Sequence, residues 1–240
     1  MDTRYDTVGL TSAASTQDEA RARFAGSPVL VVAGRQTAGR GRSGRRWEQA
    51  ARAVHASLAF APGWAPADLP LVSLIAALAA RDALDDPPDL KWPNDLIQDG
   101  AKVGGILVEA LGGPEGTILV AGLGLNLFWP DPAPGAGARY AADPGPEAAL
   151  PIARRWADAV MERVGRGARR WGRAEYTAAC RTLGEEVVWE PGGAGRAVDV
   201  AEDGTLVVST PAGLRRLAAG EVRHVRPASL GARPSTERPE

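Results

Sequence analysis

The sequence predicts an α/β fold followed by a small β-rich unit, on three observations. The chain has 240 residues, 45% hydrophobic and 24% charged, so it can bury a sizeable core. Strand and helix signals alternate along its first third. After Gly184 the pattern changes to short strands, repeated at intervals of roughly eight to eleven residues with glycine-bearing turns between them. We therefore place a boundary between residues 183 and 184.

Helical periodicity and short apolar runs assign the elements of the larger unit, residues 1–183. The predicted helices begin near Thr16 and cover residues 69–84, 148–164 and 172–183; the predicted strands cover residues 8–10, 28–34, 55–61, 103–110 and 117–125, with a strand and turn at 90–95. Thr16 and Glu19 have the spacing of a capping box at the first helix. Residues 35–47 and 130–147 lack periodicity, which predicts an Arg/Gly loop and an irregular surface loop.

The smaller unit covers residues 184–227. Its short strand-like runs, separated by glycine-bearing turns, predict a small barrel or sandwich. Residues 228–240 are rich in proline and charge, so we expect them to form a flexible tail.

Charge and composition argue against several classes of protein. The 28 basic and 29 acidic residues nearly balance, whereas proteins that grip a nucleic-acid backbone usually carry a basic excess. The one cysteine cannot form an internal disulfide. No apolar run reaches the roughly 18 residues of a membrane-spanning helix, and the N-terminus lacks the pattern of a signal peptide. We therefore expect a cytoplasmic protein with no DNA or membrane partner.

Lysine is scarce in this chain. Only Lys91 and Lys102 among the 28 basic residues are lysines, an imbalance that codon bias toward arginine explains. Both retained lysines lie in one stretch of sequence. Because an ammonium is a compact point charge that a planar guanidinium does not replace, we expect at least one of them to be needed as an amine.

The Arg/Gly loop, residues 35–47, is the first candidate site. It ends at Trp47 and interleaves glycines with five arginines: Arg35, Arg40, Arg42, Arg45 and Arg46. Glycines let backbone N–H groups approach an anion, and guanidinium groups clamp phosphate oxygens. The composition leaves three interpretations open: a phosphate-binding loop, an RGG-like segment that binds single-stranded nucleic acid, and a loop that is merely solvated.

Residues 91–109 form the second candidate site. A predicted strand leads Lys91 into a Pro-Asn-Asp turn, in which Asn94 is either a turn former or a ligand contact. Lys102 precedes a glycine pair at 104–105, and a cation beside such a pair is unusual in a plain core. We therefore favour Lys102 as a ligand-binding amine.

The third candidate site is the strand end Gly122–Asn126. Its glycines permit close approach of a ligand, and the Asn126 amide can bond a base edge, although a plain strand-ending turn has the same sequence. The chain has no GxxxxGK[ST] motif, so any ATP is not held by a P-loop. His55 and His224 show no ligand spacing, so a structural metal is not expected.

In this order, the three segments resemble the motifs of biotin–protein ligases. Residues 39–47 (GRGRSGRRW) match that family's GRGRxGRxW motif. Residues 91–95 (KWPND) and 102–109 (KVGGILVE) match its second motif, and residues 122–126 (GLGLN) match GxGxN. The resemblance extends over residues 5–227.

The resemblance implies a fold and a reaction. The fold is an α/β (α+β) catalytic domain with a mixed central sheet over residues 1–183, followed by an SH3-like β-barrel domain over residues 184–227. In the reaction, the carboxylate of biotin attacks the α-phosphorus of ATP, with Mg²⁺ as cofactor, and gives biotinyl-5′-AMP and pyrophosphate. One lysine of a biotin carboxyl carrier protein then takes the biotin. Both steps move charge through a crowded phosphate, which requires cations and backbone donors.

The resemblance also implies roles for single residues, with Lys102 and Arg42 as the catalytic ones. The implied biotin-binding residues are Ser15, Thr16, Gln17, Gln36, Arg40, Gly41, Arg42, Lys102 and Gly105. The implied ATP- and adenylate-binding residues are Arg40, Arg42, Trp47, Lys91, Asn94, Asp95, Lys102 and Asn126. Trp47 would pack near the adenine, Asn126 would bond its edge, and Mg²⁺ would bind near Asp95.

Two departures from the family pattern qualify this assignment. Family members usually have Asn after Ser-Thr, where this chain has Gln17. The 14 residues before Ser15 are too few for the helix-turn-helix that makes many bacterial members repressors. We therefore expect the monofunctional type, as a monomer or a homodimer.

Two alternatives remain at this point. A lipoate ligase shares the architecture and the adenylation chemistry but lacks the pairing of the first two motifs. A binding protein would either use the Arg/Gly loop to hold nucleic acid, which the balanced charge disfavours, or act as an inactive adenylate sensor, which the retained Lys102 disfavours.

Overall fold

The computed structural model describes residues 4–113, 116–190, 192–219 and 225–227. Within these ranges the helices are α1 (Thr16–Arg23), α2 (Leu71–Asp82), α3 (Ala149–Gly165) and α4 (Arg173–Ala179). The strands are β1 (Asp6–Leu10), β2 (Val29–Ala33), β3 (Arg52–Phe60), β4 (Asp89–Lys91), β5 (Asp95–Gln98), β6 (Ala101–Gly113), β7 (Gly116–Phe128), β8 (Glu186–Trp189), β9 (Gly193–Val200), β10 (Leu206–Thr210), β11 (Gly213–Leu217) and β12 (Val225–Pro227).

The first seven strands form one mixed sheet in the order β1-β2-β3-β7-β6-β5-β4. β1 and β2 are parallel, and all other neighbours are antiparallel. The predicted hairpin of β6 and β7 is confirmed, since these strands pair along most of their length. β5 is a strand that the sequence did not predict, because the turn before it was taken as the end of the segment.

Helices cover the two faces of this sheet unequally. α2 and α3 pack on one face, where the largest core cluster lies and Trp156 is fully buried. α1 packs on the other face, against β2, β3 and β7, with a smaller cluster around Ala20 and Val31. Because α1 is only eight residues long, it leaves the part of this face over β4–β6 to loops and to a cavity.

Strands β8–β12 form a separate antiparallel sheet in the order β11-β10-β9-β8-β12. The two edge strands do not pair with each other among the described residues, so the predicted barrel is an open sheet here. The core cluster continues into this sheet through Val187 and Trp189. Across the junction, Trp92 Nε1 donates to the Gly204 carbonyl at 3.0 Å. The predicted tail, residues 228–240, lies outside the described residues.

The predicted capping box at α1 is wrong. Ser15 is the N-cap and makes no side-chain capping bond. The Thr16 hydroxyl instead contacts Gln36 Oε1 at 3.1 Å and Ser57 Oγ at 2.8 Å. Contacts with residues distant in the sequence therefore replace the predicted capping bond. They connect the start of α1 to β3 and to the Arg/Gly loop.

Two further boundaries are corrected. α4 ends at Ala179 because Cys180 bridges to Leu90 of β4, and Arg181 N donates to the Leu90 carbonyl. The loop at 130–147 is largely irregular, as predicted, but it is not wholly on the surface, since Arg139 is buried and bonds Gln98 and the Asp86 carbonyl.

Among the described helices, none has the length and apolarity needed to cross a bilayer.

Candidate active site

Most of the predicted site residues line one cavity of about 200 Å³ on the α1 face of the seven-stranded sheet. These lining residues are Ser15, Thr16, Gln17, Gln36, Arg40, Gly41, Arg42, Trp47, Lys91, Asn94, Asp95, Lys102 and Gly105. The structure thus brings together segments that are far apart in the sequence. Asn126 is the predicted residue that does not belong to this lining.

The start of α1 places polar groups at one end of the cavity. Thr16 N donates to Gln36 Oε1 at 2.7 Å, which ties the helix start to the Arg/Gly loop. Ser57 of β3, whose hydroxyl contacts Thr16, also lines the cavity. Ser57 was not predicted as a site residue, although a lone serine at an inward position of an apolar strand is a usable signal. This end of the cavity is therefore polar, and its groups are connected by hydrogen bonds.

Gln17 and Ser15 each present an atom without a hydrogen-bond partner in the described part of the chain. Gln17 Nε2 is 3.3 Å from the carbonyl oxygens of Leu107 and Val120. Gln17 Oε1 and Ser15 Oγ are buried and have no hydrogen-bond partner among the described residues. Buried polar atoms normally find a partner, so these two are candidates for ligand contacts.

Pairing across the sheet sets the other end of the cavity. Lys91 pairs with Asp95, Asp95 with Gly105, and Gly105 with Gly124, so four strands contribute to one row. Directly paired residues point to the same face of a sheet. The row therefore presents the Lys91 ammonium and the Asp95 carboxylate to the cavity. Beside them, Gly105 and Gly124 form a part of the cavity floor that has no side chains.

The Trp47 ring packs against the glycine floor, which we define as Gly105 and Gly124. A Cβ atom added at Gly124 would lie 2.8 Å from Trp47 Cζ2, and one added at Gly105 would lie 3.5 Å from Trp47 Cζ3. A side chain at Gly124 would therefore displace the indole. Gly105 of the second motif and Gly124 of the third motif thus leave room for Trp47, the last residue of the first motif.

Lys102 and Lys91 both lie beside Asp95. Lys102 Nζ is 2.5 Å from Asp95 Oδ1 and 5.8 Å from the centroid of the Trp47 ring. Burial lowers the pKa of Lys91, an effect that Asp95 opposes. The two scarce amines predicted to matter therefore share one carboxylate.

Arg42 links the Arg/Gly loop to both sheets. Its guanidinium donates to Asn94 Oδ1 at 3.3 Å and to the Ala219 carbonyl, which follows β11. Burial lowers the pKa of Arg42, and Asp95 opposes this shift. Asn94 itself is fixed, because its Nδ2 donates to the Ile106 carbonyl at 2.8 Å.

Positive charge dominates the lining. Among the described lining residues, Asp95 is the one carboxylate, and six side chains are basic: Arg40, Arg42, Arg45, Arg46, Lys91 and Lys102. Arg40 is paired with carboxylates outside the lining, which leaves five basic side chains against Asp95. One carboxylate does not balance this number of cations. The cavity is consequently suited to an anionic ligand such as a carboxylate or a phosphate, both of which arginine and lysine bind.

Arg40 is held by carboxylates. Its guanidinium forms a bidentate pair with Asp18 at 2.7 and 2.8 Å, and it lies 3.5 Å from Glu109 Oε2. The hydrogen bond from Arg40 lowers the pKa of Asp18. Asp18 was not predicted as a site residue, because an acidic residue in the first turn of a helix is common for reasons of helix electrostatics alone.

Asn126 lies beneath the 130–147 loop. Its Nδ2 donates to the Gly137 carbonyl at 2.9 Å, and its Oδ1 is buried without a partner in the described chain. The same loop pairs with the backbone of Lys102, through Lys102 N to the Gly135 carbonyl and Gly137 N to the Lys102 carbonyl, both at 2.9 Å. The loop that was predicted as a surface feature therefore buttresses two of the predicted site residues.

Known proteins resemble this chain over most of its length. A profile of the Biotin/lipoate A/B protein ligase family matches residues 10–126. The chain is 32% identical over 218 residues to a biotin–[acetyl-CoA-carboxylase] ligase of Paracoccus denitrificans, covering 80% of this chain and 88% of that one. It is 32% identical over 220 residues to a ligase of the same name from Mycobacterium tuberculosis, covering 82% and 79%. A structure of biotin protein ligase from Aquifex aeolicus in complex with biotin and ATP matches with a TM-score of 0.78 at 25% identity, covering 93% of this chain and 99% of that one.

Proposed function

The chain belongs to the biotin/lipoate A/B protein ligase family, and from this we propose that it activates biotin with ATP to biotinyl-5′-AMP and transfers the biotin to a lysine of a biotin carboxyl carrier protein. The supporting observation is one cavity with a neutral polar end at α1 and a strongly cationic end at β4–β6. Biotin has a neutral ureido ring and a carboxylate, and ATP adds phosphates. The two ends of the cavity match this distribution of charge.

We assign the polar end to the ureido ring. This ring has one carbonyl acceptor and two N–H donors, so it needs both kinds of partner. Gln17 Oε1 is an acceptor and Ser15 Oγ is both donor and acceptor, and neither has a partner among the described residues. Gln17 Nε2 is already engaged by backbone carbonyls, so its oxygen faces the ligand. Gln17 can thus serve where other family members use Asn.

We assign the cationic end to the first half-reaction. An oxygen of the biotin carboxylate forms a bond to the α-phosphorus, the bond from that phosphorus to the α–β bridging oxygen breaks, and pyrophosphate leaves. Negative charge spreads over the phosphate oxygens during this exchange. Lys102 carries most of the stabilisation of that charge, and Arg42 adds a smaller part at the phosphate end. Gly41 and Gly105 line the cavity without side chains that would block the ligand.

ATP is used with Mg²⁺, and Asp95 is the residue that fits this ion. Mg²⁺ is usually held by one or two carboxylates together with substrate phosphates. In the described part of the chain, no three His, Cys, Asp or Glu side chains converge, and Asp95 is the carboxylate that lines the cavity. When bound, the ion would offset charge on the ATP phosphates, while the Lys102 ammonium holds Asp95 in place.

We assign the adenine to the neighbourhood of Trp47 and Asn126. The indole offers a flat face for stacking, and Asn126 Oδ1 offers an acceptor for an exocyclic amine. Residues 135–137 now cover Asn126. We therefore expect this loop to shift when the base binds.

The second half-reaction needs little from the protein. The carrier lysine, as a free amine, attacks the carbonyl carbon of biotinyl-AMP, the bond to the phosphate oxygen breaks, and AMP leaves while the amine loses a proton. Arg42, held by Asn94 and the Ala219 carbonyl, closes the phosphate end and retains the adenylate until a carrier arrives.

We propose acetyl-CoA carboxylase as the source of the carrier domain, since the relatives are named for that acceptor. We also propose a cytoplasmic location, which agrees with the single, buried Cys180.

Incubation of the protein with labelled biotin, MgATP and a carrier domain tests the proposal. Labelled biotinyl-AMP should form without the carrier, and label should pass to one carrier lysine when the carrier is present. Excess lipoate should not compete. Absence of both products would contradict the proposed function, and competition by lipoate would reassign the substrate.

A further inference from the structure

His55 is a buried histidine that the proposed reaction does not use. It lies on β3, is 1% exposed, and neither ring nitrogen makes a hydrogen bond of normal geometry with any described group. Burial lowers its pKa, which the backbone of Ala33 opposes in part, so the ring is neutral near pH 7. A buried polar side chain without a partner is uncommon and calls for an explanation.

His55 borders the glycine floor. It pairs with Gly124 across the β3–β7 ladder, and Gly124 pairs with Gly105. Its side chain points to the same face as Ser57, two positions along the strand, which lines the cavity. His55 therefore stands at the β3 side of the floor on which Trp47 lies.

The orientation of the indole brings its donor toward this side. Trp47 Cζ3 lies near Gly105, whereas Cε2 lies 2.9 Å from a Cβ added at Gly124. Nε1 is bonded to Cε2 and lies on the opposite side of the indole from Cζ3, so it is on the edge nearer to β3. Nε1 is also buried without an acceptor in the described chain. Among the described residues, a donor and an acceptor without partners thus lie at the same side of the glycine floor.

We propose that His55 positions Trp47 by accepting a hydrogen bond from its indole N–H when the Arg/Gly loop closes over the nucleotide. The proposal rests on the proposed function, because the ring that His55 would fix is the one assigned to the adenine. The χ2 torsion of histidine is broad, so the imidazole can turn without changing its main rotamer. Since Trp47 N donates to the Gly39 carbonyl at 3.0 Å, fixing Trp47 also fixes the start of the GRGRSGRRW segment.

A double-mutant cycle on ATP use tests the pair. His55→Phe removes the acceptor, and Trp47→Phe removes the donor while retaining a ring. His55→Phe should raise the KM for ATP about five- to tenfold, as expected for one lost hydrogen bond, with a smaller change in kcat. In a Trp47→Phe background the same change should have less than about a twofold effect, because the donor is already gone. His55→Gln keeps an acceptor and should restore most of the affinity for ATP.

The matched control is Trp189→Phe. Trp189 Nε1 is likewise buried without a partner in the described chain, but it lies on β8, away from the cavity. This change should leave the KM for ATP unaltered. Equal effects of His55→Phe in both backgrounds would overturn the proposal.

A second measurement does not depend on turnover. In protein with ¹⁵N-labelled tryptophan, the Trp47 indole signal is the one that Trp47→Phe removes. Addition of biotin and α,β-methylene-ATP should move its proton resonance downfield in the wild type and in His55→Gln, but not in His55→Phe. An unmoved wild-type signal would overturn the proposal. A wild type that forms no biotinyl-AMP would instead contradict the proposed function, so the two failures are distinguishable.

Discussion

The two sides of the cavity are held in place by different interactions. On the sheet side, Lys91, Asp95 and Gly105 are fixed by backbone pairing across β4–β7. On the loop side, backbone hydrogen bonds of the GRGRSGRRW segment are formed within the segment itself. Side chains connect the segment to the rest of the protein, Arg40 through Asp18 and Arg42 through Asn94. Backbone ladders keep their geometry, whereas side-chain ion pairs and hydrogen bonds can be exchanged for contacts with a ligand.

This difference separates two tasks. A fixed set of cations stabilises charge in a transition state without having to reorganise. A loop with exchangeable contacts can open for substrates and close over an intermediate. Changes on the sheet side should therefore slow adenylate formation or weaken ATP binding, and changes on the loop side should impair retention of the adenylate.

The largest effect is expected from Lys102→Arg on the sheet side. The change retains the positive charge but replaces a compact ammonium, 2.5 Å from Asp95, with a broad planar fork. We expect adenylate formation to fall by about a hundredfold or more, in the range seen when one stabilising donor is removed. Release of pyrophosphate measures the rate, and thermal unfolding checks that the variant is folded. A rate close to that of the wild type would remove Lys102 from the reaction.

Gly124→Ala should have the next largest effect. The added methyl group would lie 2.8 Å from Trp47 and displace the indole. Overpacking of this kind costs about 1–3 kcal/mol, so we expect the KM for ATP to rise about tenfold. Gly112→Ala on β6 is the matched control, since an added Cβ there has no neighbour within 4 Å. Similar KM values for the two variants would mean that Trp47 does not shape the ATP site.

Arg42→Ala probes the loop side. The loss of the contacts to Asn94 and Ala219 should weaken closure, with adenylate formation reduced only a few fold, about 1 kcal/mol. Biotinyl-AMP should then escape and label lysines of a bystander protein, which mass spectrometry detects. Arg23→Ala, at the exposed end of α1, is the control. Strict selectivity for the carrier in Arg42→Ala would refute the closing role of this residue.

The smallest effect is expected from Asp18→Asn. The pair with Arg40 is solvent-exposed, so its loss should cost less than about 1 kcal/mol of stability. Arg40 lowers the pKa of Asp18, so the pair stabilises the fold above the unfolded-state pKa and is lost as the pH falls through the lowered value. Thermal unfolding of the wild type and the variant should differ slightly at pH 7 and converge in acid. A difference that grows in acid would contradict this assignment.

The elements that the sequence predicted well are those with strong local signals. Strand β2, helix α2 and the β6–β7 hairpin follow from apolar pattern and turn residues. The site segments were found because their arginines, lysines and glycines have unusual spacing. Ser57 and Asp18 were missed because they reach the site only through long-range packing of β3 and α1. Long-range contacts also replaced the predicted capping bond at Thr16. They place Asn126 beneath the 130–147 loop, which was predicted to lie on the surface.

The hydrogen bond from Trp92 to Gly204 has a consequence for any attempt to shorten this protein. Trp92 separates Lys91 from the Pro-Asn-Asp turn, and its indole donates to a backbone carbonyl in the turn between β9 and β10 of the C-terminal sheet. A fragment ending before β8 would keep every residue to which a role in the reaction is assigned. It would, however, expose Trp92, which lies next to Lys91 and loses its hydrogen-bond acceptor in this fragment. The smaller sheet is thus a structural support behind the amines, and a minimal catalyst cut from this chain must include it.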